Sequence, residues 1–160
     1  MKRLFALTLI IYILSGCKKH TGKDCPNDTY KFDFKTNAKV DTLTNPEGTF
    51  YATVKSGINI VFSYEKVHTE CPEIADGIWG EKFFFEINPS LTSFNYYSDS
   101  LSAMKFYYNA FCIYGCNNSA YIPAEGVVEG KKISEDKWKI YVNVKINATR
   151  QLIINEVFIK

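Results

Sequence analysis

From Lys137 to Ile146 the chain alternates without a break: Trp138, Ile140, Val142, Val144 and Ile146 take every second position, and Lys137, Lys139, Tyr141, Asn143 and Lys145 take the others. An extended strand turns the first set to a core and the second to water. Flanking segments Val127 to Ile133 and Leu152 to Ile159 read as strands, joined to it through Ser134-Glu135-Asp136 and Asn147 to Arg150, so the three are expected to form an antiparallel meander. Earlier in the chain, Tyr30, Phe32 and Phe34 alternate with Lys31, Asp33 and Lys35. Thr49 to Val54 and Ile58 to Tyr64 are β-branched and aromatic runs, with Lys55-Ser56-Gly57 between them as the expected hairpin connection. His68 to Gly80 reads as a loop, and Lys82 to Ile87 as a strand with Phe83 and Phe85 opposite Phe84. No amphipathic helical pattern follows the first 16 residues. The expected fold is all-β, an antiparallel β-sandwich (Ig-like) of about seven to nine strands, with a small closed β-barrel as the alternative.

The first residues carry a different signal. Lys2 and Arg3 precede a roughly 11-residue apolar run, Leu4 to Leu14, too short to span a bilayer and of the length of a signal peptide. Leu14-Ser15-Gly16-Cys17 then resembles the lipobox of bacterial lipoproteins at every position. That resemblance implies that the chain is cut before Cys17 and that Cys17 carries acyl chains, enough for stable anchoring. The expected organisation is a signal peptide over 1–16, a lipidated polar tether over 17–26 and a single β-sandwich domain over 27–160. Lys18 stands where a retention aspartate would follow the lipidated cysteine, so the resemblance implies the outer membrane; the lysines after Cys17 favour its periplasmic face over the cell surface. Gly126-Val127-Val128-Glu129-Gly130-Lys131-Lys132-Ile133 running on to Trp138 is also similar to the ends of small lipoproteins from Bacteroidota-type envelopes. Asp41-Thr42-Leu43 and Asp99-Ser100-Leu101 resemble the O-glycosylation triplet of the same bacteria, which makes Thr42 and Ser100 candidate acceptors.

Removal of 1–16 takes away Lys2 and Arg3 and no acidic residue, leaving equal numbers of cationic and anionic side chains. No basic patch argues for nucleic acid, which is set aside as a partner. With Cys17 committed to lipid, Cys25, Cys71, Cys112 and Cys116 are expected to form two disulfides. Three connectivities are open, of which Cys25 with Cys71 and Cys112 with Cys116 is preferred. A metal site lacks the paired C-x-x-C spacing and has only His20 and His68 to help, so no metal and no cofactor are expected.

Enzymatic motifs are missing: there is no G-x-S-x-G elbow, H-E-x-x-H helix, Walker loop or dinucleotide-binding glycine pattern. His68 reads as a solvated loop histidine, and the loop carboxylates Glu70, Glu73 and Asp76 as a solvated cluster that leaves a hydrolase the least favoured reading. The distinctive composition lies between Phe94 and Tyr114. Adjacent aromatics on a strand point to opposite faces, so one ring of Tyr96-Tyr97 and one of Tyr107-Tyr108 is expected outside. Phe94, Tyr96, Tyr97, Tyr107, Tyr108 and Tyr114 are therefore candidate ligand-binding residues. The expected function is a non-catalytic binding or accessory module for a glycan or a protein partner in the cell envelope, attached to the membrane by its lipid. A structural or protective envelope protein is the alternative.

Overall fold

The computed structural model describes residues 28–68, 79–112 and 120–160, with Cys112 described by its backbone alone. Nine strands follow in order: β1 (Asp28–Thr44), β2 (Phe50–Ser56), β3 (Asn59–His68), β4 (Trp79–Ile87), β5 (Ser93–Tyr97), β6 (Tyr107–Cys112), β7 (Gly126–Ser134), β8 (Lys137–Lys145) and β9 (Gln151–Ile159). Among the described residues the remaining regular element is a 3-10 turn at Ser98–Leu101. The chain is all-β. The strands form one sheet in the order β5-β7-β8-β9-β1-β3-β4-β6, with β2 paired to β1.

This sheet curls into a half-barrel, so its two halves face each other as the layers of a sandwich do. Phe62 of β3 meets Trp138 of β8 edge-on, ring centroids 5.5 Å apart, and Phe85 of β4 meets Phe94 of β5 at 5.9 Å. Trp138, Phe62, Phe83, Phe85, Phe106 and Phe158 are fully buried between the layers. The β7–β8–β9 meander is antiparallel throughout, as the alternation of its residues requires. All pairings are antiparallel except β1 with β9, which touch in parallel at Asp33 and Ile159.

One sequence expectation is corrected. Lys55-Ser56-Gly57 is not a hairpin turn: β2 and β3 are both antiparallel to β1, hence run in the same direction, and Ser56 and Asn59 both pair with Ala38. The reversal lies at Asn45–Thr49 instead, where Asn45 Oδ1 accepts from the Thr49 amide at 2.8 Å and Gly48 takes a φ of 81° that a side chain would oppose. At the β2–β3 junction the interruption works as a bulge. Gly57 donates its amide to the Asn37 carbonyl at 3.0 Å, and a Cβ on Gly57 would come within 2.8 Å of the Ala38 carbonyl carbon. Asn37, opposite, adopts the left-handed conformation with φ 54°, which asparagine tolerates better than most residues.

The bulge has a packing consequence. The far half of β1 and β2 covers the outer face of the sheet, where Ala38, Val40, Ala52 and Val54 pack on Val61, Phe84 and Tyr107 as a second small core. Glu86 fastens it, accepting from the Val40 amide at 2.7 Å and pairing with Lys105 at 2.8 Å. Phe83 and Phe85 face the main core and Phe84 the second, which keeps the expected alternation and gives both faces a purpose.

Candidate functional site

The inner face of β1, β3, β4 and β6 changes character along its length, and strand register shows how. Phe34, Phe62 and Phe85 form one row across the sheet; Phe32, Tyr64, Phe83 and Tyr108 form the next. Then come Tyr30, Lys66, Glu81 and Ala110, and last Asp28, His68 and Trp79. Each row is two residues from its neighbour, so all point inward. The interior is therefore apolar at its centre and charged at one mouth.

At this mouth β1 and β9 part. From Asp33 and Ile159 back toward Asp28 and Gln151, no pairing joins them, and a groove of about 560 Å³ opens, lined by Tyr30, Phe32, Tyr64 and Lys66 on one side and residues of β9 on the other. Glu81 lies in its floor and is 3% exposed. Its carboxylate accepts from the Tyr64 hydroxyl at 3.2 Å and the Tyr108 hydroxyl at 2.7 Å, and pairs with Arg150. A tight turn aims Arg150: Asn147 Oδ1 accepts from the Thr149 amide at 3.0 Å, and the Arg150 carbonyl accepts from the Ile146 amide at 2.9 Å. Burial, reinforced by the adjacent Glu81 charge, pushes the Tyr64 and Tyr108 hydroxyls far above the usual phenol range, so both remain donors.

A second cluster sits beside it. Asp28 accepts from the Tyr30 hydroxyl at 3.2 Å and pairs with Lys66 at 3.1 Å, while Nδ1 of His68 lies against its other oxygen. Burial raises the Asp28 pKa, but the hydrogen bond and charge of Lys66 outweigh it, and the carboxyl ends below its ordinary value. Lys66 also stands 5.3 Å from the centroid of the Tyr30 ring, whose residue is 54% exposed. His68 is not the solvated loop residue expected from sequence: it ends β3, is buried, and stacks on Trp79 with centroids 3.5 Å apart. Alternation continued through Tyr64 and Lys66 carries it inside.

The aromatic segment is dispersed by the fold. Phe94, Tyr96 and Tyr97 lie on β5 and Tyr107 and Tyr108 on β6, at opposite ends of the strand order. Tyr97 is exposed and Tyr96 half-buried, as their alternation predicts, but Phe94 and Tyr96 both lean on the main core. Neither ring of Tyr107-Tyr108 is free. Tyr108 is buried in the Glu81 cluster and Tyr107 packs in the second core, because the bent β1–β2 half covers the face that was expected to be wet. Tyr114 and the cysteines Cys17, Cys25, Cys71 and Cys116 lie outside the described residues, as does the side chain of Cys112. The β1–β3 register ends at Asp28 with His68, three residues after Cys25 and three before Cys71 in sequence. Thr42 is exposed, whereas the Ser100 hydroxyl is held by the Tyr97 backbone at 2.7 Å.

Among the described residues no group of three or more histidine, cysteine, aspartate or glutamate side chains is placed to hold a metal ion. Comparisons with protein-family models, curated proteins and solved structures gave no match.

Proposed function

We propose that the chain is an outer-membrane lipoprotein, anchored at Cys17, whose β domain is a non-catalytic binding module, and that its ligand site is the groove where β1 and β9 part. The observation that carries this reading is the exposed Tyr30 ring beside two fixed cationic donors, Lys66 held by Asp28 and Arg150 held by Glu81. An aromatic face with donors beside it suits a sugar ring, whose apolar face stacks while its hydroxyls accept hydrogen bonds. Leu152, Ile154 and Glu156, the inward positions of β9, supply the opposite wall. A non-catalytic role is supported by how fully the Glu81 carboxylate in the groove floor is engaged. Glu81 is occupied by two hydroxyls and a guanidinium.

The envelope glycan is the proposed ligand, with a protein partner as the competing occupant of the same groove. On an array of bacterial glycans, Tyr30→Ala is expected to lose at least about tenfold in affinity, the effect of removing one well-stacked ring. Tyr97→Ala, on the far edge of the sheet, is expected to bind as wild type. Equal loss in both variants, or loss in Tyr97→Ala alone, would move the site back to the aromatic segment.

A further inference from the structure

The outer face of β7–β8–β9 presents cations and apolar side chains together at one end. Lys131 stands directly opposite Lys139, and Lys139 in turn opposite Val157; Lys137 stands opposite Ile159. All three lysines are exposed, and none of them forms a close ion pair among the described residues. In the adjacent turn Glu135 is paired with Lys132, and Asp136 accepts from the Ser134 hydroxyl and also feels the charge of Lys137. Ile133, Val157 and Ile159 complete the patch at 58%, 36% and 51% exposure. Like charges facing each other across a strand pair weaken a sheet, and exposed β-branched residues gain nothing from water. An anionic surface with an apolar layer beneath it relieves both.

We propose that this face docks on the surface of an anionic lipid bilayer, lysines on the headgroups and isoleucines in the interfacial layer. Charge complementarity selects lipid over a second copy of the chain, which would set the same lysines against each other. Ten residues separate Cys17 from Asp28, a reach of up to about 40 Å across the eleven steps, so an anchored domain can bring the face to the bilayer. The proposal is independent of what the groove binds. Each lysine near an anionic membrane contributes about fivefold to partitioning, on the order of a hundredfold for three, and the effect falls with salt.

Amine-labelling footprints of the full-length protein on vesicles test it. On phosphatidylglycerol vesicles at low salt, Lys131, Lys137 and Lys139 are expected to label at least about fivefold more slowly than on phosphatidylcholine vesicles, while Lys55 and Lys105 label alike on both. Raising salt to about 1 M should abolish the difference. The Lys131→Ala, Lys139→Ala double variant, which removes a like-charged pair together with the bond from Lys139 to the Asn155 carbonyl, is expected to leave Lys137 unprotected. Equal labelling on the two vesicle types would overturn the proposal, as would protection that follows protein concentration instead of lipid charge, the mark of a second copy.

Discussion

Trp138→Ala is expected to cost about 3 to 5 kcal/mol of folding stability, enough to unfold a domain of ordinary marginal stability. The ring is fully buried and lies where the two layers meet, 5.5 Å from Phe62 and 6.0 Å from Phe94. Its truncation leaves a cavity that rigid strands on both sides cannot close. Trp138→Phe should be much milder, because the indole Nε1 is buried without a hydrogen-bond partner among the described residues and its loss removes a standing penalty. Urea melts of the two variants check this: similar losses for both would contradict the packing described.

Glu81→Ala is expected to lose about 3 kcal/mol, chiefly by leaving the Tyr64 and Tyr108 hydroxyls buried without an acceptor. Arg150, 41% exposed, can turn to water, so the cost stays below that of breaking a fully buried ion pair. The same cluster sets an alkaline limit. In the unfolded chain both tyrosines ionise near pH 10, whereas in the folded protein burial and Glu81 hold them protonated well beyond it. The folded state then binds more protons, so their contribution is intact below about pH 10 and is lost as pH rises above it, by up to about 2.7 kcal/mol per pH unit for the two. Tyr108→Phe should roughly halve that slope. An unchanged slope would place the alkaline sensitivity elsewhere.

Period-2 patterning makes the meander, the inward set Tyr30, Phe32 and Phe34, and the division of Phe83 and Phe85 from Phe84 legible in the residues themselves. The same pattern, followed further, reaches Glu81 and Trp79 on β4 and Lys66 and His68 on β3, since these continue the inward positions of Phe83 and Tyr64. A loop over His68 to Gly80 cuts the alternation short and hides the charged mouth. Asn45-Pro46-Glu47-Gly48 is a turn signal as strong as Lys55-Ser56-Gly57, and choosing between them depends on which strand β2 pairs with, a non-local property. Nor does local pattern reveal that Asn37 and Gly57 meet, that the bend there covers Val61, Phe84 and Tyr107, or that Arg150 reaches Glu81 across 69 positions of sequence. Adjacent aromatics imply one ring inside and one outside; a sheet covered on both faces buries both.

The groove depends on β1 and β9 staying apart, and amide hydrogen exchange along β9 measures that most directly. β9 is paired with β8 at every position and with β1 only at Ile159. From Gln151 to Phe158, alternate amides are therefore expected to be protected, those directed at β8, while the ones between them exchange quickly. Unbroken protection along β9, matched by protection of the β1 amides from Thr29 to Phe32 that face away from β3, would show a closed seam and contradict the site proposed.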